Sequence, residues 1–429
     1  MLAYSACGTP LLAAPGDLDT TFNRSGKFVA SMGTSSARCN AIALQPDGKI
    51  VVAGNANQSS SEVIAVARVS KAGVLDSAFG VSGKVLTNLG PSYHDTRGVA
   101  VQPDGKILVA GTFGDWNTAQ GFIVRYNTDG TLDTSFNGSG ILLTSINGKP
   151  CFFNCIALQS DGKILVAGFA TDDTTVYHGL AICRYHQDGS PDLDFNGTGN
   201  FIRDFYGWGA EAQAIVVHKN GAILVAGRVD KDIGTDFVLL RVTTGGLLDL
   251  GFNNKGYVIR SITPGNIYEE ATALTLQADG RILVAGYTYP SGMQMFQLLR
   301  YHATGTIDTS YHSSGKITMQ VGSGSSSAEG IGILRDGSAI VAGFARRTFY
   351  SSWYPKSYEC VGLACIRSSG SANPSFQKTG QTTTAFKELA TSRAHAVAVQ
   401  PDGKFIIVGE ASSDSKMKFA IARYYGTTR

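Results

Sequence analysis

The chain has 429 residues, 43% of them apolar and 16% charged, with 52 glycines and a formal net charge of +3. Low charge and excess Gly disfavour helical bundles and favour a turn-dense all-β protein. The near balance of 36 basic and 33 acidic residues argues against a nucleic-acid partner, and no apolar run reaches the about 18 residues of a membrane span.

Residues 1–17 begin MLAYSACGTPLLAAPG, apolar and Ala-rich without a basic start. They read as a leader, the tail of a trimmed secretory signal, or as a disordered N-terminus. Secretion, periplasm or cell surface is the expected location, with the cytoplasm as the alternative. The chain then opens at Leu18 on the tail of a repeat, a stretch L-D-x-x-F ending at Phe22 and a strand through Ala30.

A turn followed by an apolar run recurs seven times, as QPDGKIVVAG from Gln45, QPDGKILVAG from Gln102 and QSDGKILVAG from Gln159. It returns from His218, Gln277, Leu334 and Gln400, so the turn residue falls at Asp47, Asp104, Asp161, Asn220, Asp279, Asp336 and Asp402. The L-D-x-x-F marker repeats in step, ending at Phe79, Phe136, Phe195, Phe252, Tyr311 and Phe376. Each unit predicts four short strands. In the first, strand a is Ala41–Leu44, strand b Lys49–Gly54, strand c Val63–Val69 and strand d Gly83–Thr87. Asp bonding its own backbone and Gly at the left-handed position make the a–b turn.

Seven four-stranded antiparallel units fit a seven-bladed β-propeller, with a linear solenoid as the alternative. The chain ends just after a strand c (Lys418–Tyr424), so residues 18–31 are expected to complete the last blade within a single domain, 18–429. The combined pattern L-D-T-S-F, A-x-Q-P-D-G-K-I-L-V-A-G and A-R-Y-x-x-D-G resembles the delta-60 repeat β-propeller family. The resemblance implies a bacterial propeller, often on exported proteins. It carries over no catalytic residue.

Arg68, Arg125, Arg184, Arg241, Arg300, Arg367 and Arg423 close strand c, and six units keep an acidic marker residue, Asp19, Asp76, Asp133, Asp192, Asp249 and Asp308. They read as a ring of structural ion pairs that unit six, with Asn373, lacks. Variable segments fall on the opposite face, where binding residues concentrate on a rigid scaffold. They hold Trp116, Trp208, Trp353, Tyr206 and Tyr354, with Arg346 and Arg347 in the longest insertion, as candidates to grip a glycan or partner protein. Aligning strand a places Asn40, Arg97, Asn154, Gln213, Thr272, Glu329 and His395 at the channel mouth. Arg38, Asp95, Phe152, Glu211, Glu270, Ser327 and Arg393 come two residues further out. His395 with Glu329, Glu270 or Glu211 is the one acid–base candidate.

Of seven cysteines, Cys183 and Cys365 read as buried small hydrophobes, and Cys151 and Cys155 share one loop where a bridge could form. No metal or cofactor site is expected. A monomeric, non-enzymatic binding or scaffold module is the expected function. A propeller-type lyase or hydrolase at the channel mouth and a structural spacer in an envelope assembly are the alternatives.

Overall fold

The computed structural model describes residues 13–59, 61–171, 178–205, 208–265, 267–351, 354–387, 390–413 and 416–427. Strand b, Ile107–Phe113, begins with an apolar run and is buried on both faces along nearly all its length, and strand c, such as Gln120–Tyr126, packs beside it. Strands a (His94–Val101) and d (Ile141–Thr144) flank that pair and are only partly buried. Among the described residues seven such sheets form, each four-stranded and antiparallel. Apolar clusters fill the space between neighbouring sheets: Leu165 and Leu180 of blade three meet Ile215 and Val225 of blade four in one. The result is a seven-bladed β-propeller.

The turns follow from their residues. In the first blade Asp47 Oδ1 accepts from Lys49 N at 3.0 Å, and Gly48 takes φ +81°. The marker aromatics Phe22, Phe79, Phe136, Phe195, Phe252, Tyr311 and Phe376 are at most 1% exposed. They anchor each c–d connection.

The ring closes with the first described strand. Lys27–Ala30 pairs antiparallel with Lys416–Tyr424, registering Lys27 with Ala422 and Ala30 with Phe419. The junction also takes Gly16 N to Tyr425 O at 2.8 Å and Asp19 N to Arg423 O at 2.8 Å. Pro15 O accepts from Gln377 N at 3.2 Å, where other blades use the next c–d turn, as His312 N does with Ser369 O at 3.0 Å. The last c–d turn is thus assembled from both ends of the chain.

The ion pairs form in six blades. Arg Nε lies 2.6–2.8 Å from the marker carboxylate in Arg68–Asp76, Arg125–Asp133, Arg184–Asp192, Arg241–Asp249, Arg300–Asp308 and Arg423–Asp19. Each guanidinium also stacks on its marker ring, at 4.3–4.8 Å, and reaches a carbonyl of the next blade, as Arg241 does with Ala303 O at 2.6 Å. A second cation joins five of these carboxylates, such as Lys163 on Asp192 at 2.8 Å.

Blade six corrects the sequence reading. Its register puts Cys365, not Arg367, opposite Ile340, at the place Arg184 takes opposite Leu165. Arg367 stands two residues further on, which accounts for its shortened spacing to Phe376. The carboxylate and the second cation change with it: Asn373 Nδ2 bonds Ser338 Oγ at 3.1 Å. All three charges are replaced together, in the blade that faces the divided turn.

Candidate functional site

Every strand a carries one β-bulge, and every bulge falls at the same repeat position. The register skips Asn40, Arg97, Asn154, Gln213, Thr272, Glu329 and His395. A bulge leaves its extra residue out of the ladder and re-aims the side chain. The Gly of each V-A-G run makes room for it. A Cβ on Gly54, Gly227 or Gly343 would overlap the carbonyl oxygen of Arg38, Glu211 or Ser327, and the other blades repeat this. This glycine ends the apolar run of strand b, and its lack of a side chain is what lets the neighbouring strand approach so closely.

All seven bulged residues line one cavity of about 410 Å³ on the propeller axis, together with Arg228, Glu270 and Tyr287. Three of them brace the next blade: Asn40 Nδ2 donates to Thr96 O at 2.7 Å, Asn154 Nδ2 to Ala212 O at 2.9 Å and Thr272 Oγ1 to Ala328 O at 2.8 Å. Arg97 is tied to Asp95 at 2.8 Å.

The second ring is a set of cross-strand pairs. Glu211 registers with Arg228, Glu270 with Tyr287 and Phe152 with Phe169. The chemistry matches across each pair: Arg228 Nη2 lies 2.7 Å from Glu211 Oε1, the Tyr287 hydroxyl donates to Glu270 Oε2 at 2.8 Å, and Phe152 stacks on Phe169 at 4.3 Å. Burial pushes the Glu270 carboxyl up, more than Arg228 and Tyr287 offset, and it pushes up Glu329, whose Oε1 accepts from Ser327 at 2.7 Å. Glu211 goes the other way, since His178 and Arg228 outweigh its burial. On the far rim Glu410 is held at about 2, because His395 and Arg38 outweigh its burial. Arg38 Nε lies 2.8 Å and His395 3.8 Å from it.

His395 is thus beside Glu410 rather than bonded to Glu329, Glu270 or Glu211, and Glu211 faces His178 at 3.2 Å. Arg228, His178 and Asp230 are site residues that sequence reasoning missed. For Arg228 the available signal was the residue after the last glycine of strand b, which differs in most units (Asn55, Thr112, Phe169, Arg228, Tyr287, Phe344, Glu410).

The tryptophans do not gather at one place. Trp116 is 55% exposed and rests on Phe152 and Phe169, at 4.9 and 5.6 Å. Trp208 is half-buried and packs on the core between blades three and four. Trp353 and Tyr206 lie outside the described residues, and Tyr354 is described only as the first residue of its strand. The longest insertion is not a loop. It lengthens strands b and c of blade six to 13 residues each, Ala339–Ser351 and Tyr354–Ile366, so that they form a hairpin arm. Arg346 and Arg347 are exposed on it, Arg346 lying 3.5 Å from Glu359.

Cys151 and Cys155 are both free and sit in one extended strand, Cys151–Leu158, opposite Ala170 and Ala167. Four residues apart on a strand, their Cα atoms lie beyond the about 7 Å a bridge can span. Among the described residues no group of three or more His, Cys, Asp or Glu is placed to hold a metal, and no helix is long and apolar enough to cross a membrane.

A family model described as a β-propeller domain of unknown function (DUF5122) matches four stretches of the chain, residues 45–79, 102–136, 159–195 and 277–311. No curated protein matches the chain. Similar solved structures include a catalytically inactive virginiamycin B lyase from Staphylococcus aureus, 14% identical, with 80% of this chain and 88% of that one covered and a TM-score of 0.42. They also include Sqt1 of Chaetomium thermophilum bound to the N-terminus of ribosomal protein L10, at 9% identity, 93% and 98% coverage and a TM-score of 0.47. The polysaccharide lyase Uly1 is 10% identical, with 90% and 89% covered and a TM-score of 0.46.

Proposed function

We propose that the protein is a non-enzymatic binding module, exported, that holds a glycan on its variable face at the channel mouth. The observation that carries this reading is the ring of seven bulges. It turns amide, guanidinium, hydroxyl, carboxyl and imidazole groups from seven blades onto one cavity of about 410 Å³. A hydroxyl-rich ligand needs many donors and acceptors held on rigid backbone, and a cavity of this size lies in the range of small-molecule sites. The opposite face is built from the repeated turns and ion pairs.

A glycan array with wild type, Glu270→Gln and Asn154→Ala tests the reading. A ligand lost in both variants supports it. Absence of any glycan signal, with capture of a protein partner instead, replaces it with the scaffold reading. A second function, a lyase or hydrolase, is favoured by one observation. Glu270 and Glu329 are pushed toward their protonated forms, with the Tyr287 hydroxyl 2.8 Å from Glu270, so a general acid is available in the cavity. New reducing or unsaturated ends released from a bound glycan, and lost in Glu270→Gln, would establish it.

A further inference from the structure

Trp208 and Trp116 pose a contrast. If large rings served only to pin the long loops, both should be sunk into the blades. Trp208 is packed that way, whereas more than half of Trp116 remains in solvent. The indole is also supported from behind. Phe152 and Phe169 stack at 4.3 Å, and Trp116 lies tilted against both, at 38° and 36°. The turn that presents it is held by Gly114 N to Tyr93 O at 3.0 Å and Thr118 N to Asp115 O at 2.9 Å. A rigid, exposed ring costs little ordering entropy when something stacks on it.

Polar groups run from this platform to the channel without a gap. His178 lies 4.8 Å from the Phe169 ring, and its Nε2 is 3.2 Å from Glu211 and 3.7 Å from Asp230. Glu211 holds Arg228 at 2.7 Å, and Arg228 is itself part of the cavity wall beside Glu270. An apolar plate flanked by an imidazole and two carboxylates matches a sugar ring, which offers a C–H face to an aromatic and hydroxyls at its edge.

We propose that the glycan site continues from the channel mouth across blades four and three to a second subsite on Trp116, so that the ligand is an oligosaccharide of two or more rings. This rests on the glycan reading above. It is tested by calorimetric titration of wild type, Trp116→Ala and Trp116→Phe with cello-, chito- and alginate-type saccharides of one to six rings. For the series that binds, wild-type affinity rises about tenfold or more between one ring and four. Trp116→Ala removes that rise while leaving the single-ring affinity within about twofold, and Trp116→Phe keeps part of it. An unchanged melting temperature shows that the loss is local, since the side chain contributes little to the core. Affinity independent of length in wild type, or a Trp116→Ala variant that binds every length like wild type, overturns the second subsite and leaves the channel site standing. Failure of wild type to bind any member of the three series sinks the glycan reading and this one with it.

Discussion

Replacing Asp19 by Asn puts the ring closure to a sharp test. Its carboxylate is fully buried and accepts from Arg423 Nε at 2.8 Å, Lys404 Nζ at 2.9 Å and Thr21 Oγ1 at 2.6 Å. The amide has the same shape but leaves two cations facing a neutral group. Removing one partner of a buried ion pair costs about 3–5 kcal/mol, and because Lys404 retains 25% exposure the lower end applies, about 3 kcal/mol. Blade six shows what the scaffold does when the carboxylate is absent: Asn373 stands with Cys365 and Ser338, and neither cation is present. The triple change Asp19→Asn, Arg423→Cys, Lys404→Ser should therefore cost less than the sum of its three single changes, by about 2 kcal/mol. Urea denaturation followed by tryptophan emission gives all five values on one scale. A loss under about 1 kcal/mol for Asp19→Asn, or a triple variant additive to within about 0.5 kcal/mol, would refute the account of the triad as a coupled unit.

Four further outcomes follow from the same structure. Gly343→Ala should lose about 2–3 kcal/mol by driving a Cβ into the Ser327 carbonyl, whereas Gly138→Ala, with open space around it and φ +74°, should lose only about 1 kcal/mol, both read from denaturation midpoints. Glu410 contributes stability that is complete above its ordinary value of 4.5 and is lost as pH falls toward about 2. Glu410→Gln should therefore flatten the acid limb of a stability–pH curve over that window. Glu270 is raised, so its ionisation disfavours the fold as pH climbs above the usual carboxylate range, and Glu270→Gln should flatten that limb instead. Burial pushes Cys151 and Cys360 up to about 11 and Cys155 and Cys365 up to about 12. In a Cys7→Ser background a maleimide at pH 8 should consequently label no thiol until the protein is unfolded, and fast native labelling would contradict the packing of strands a and c.

The repeat, the blade count and the closure were legible because turn chemistry and apolar runs recur in register. What stayed hidden was encoded in departures from that pattern. Strand a extends outward from Ala41 to Ala37, but Arg38 and Asn40 interrupt its apolar run, so the outer half looked like loop. The alignment grouped the seven mouth positions without giving the reason, a bulge whose space comes from a glycine on the neighbouring strand. Arg367 misled because it sits two residues from a position that only the pairing with Ile340 identifies. The arm of blade six read as an insertion, since Arg346-Arg347-Thr348 carries no strand alternation.

Drawing the final sheet from both ends of the polypeptide has a consequence for biosynthesis. Lys27–Ala30 leaves the ribosome well before its partner Lys416–Tyr424, which follows about 20–80 s later at ordinary translation speeds. For that interval Phe28 and Val29 belong to an orphan strand. Until then the ring is an open crescent with an unpaired sheet edge at each flank, the kind of edge that pairs with other strands.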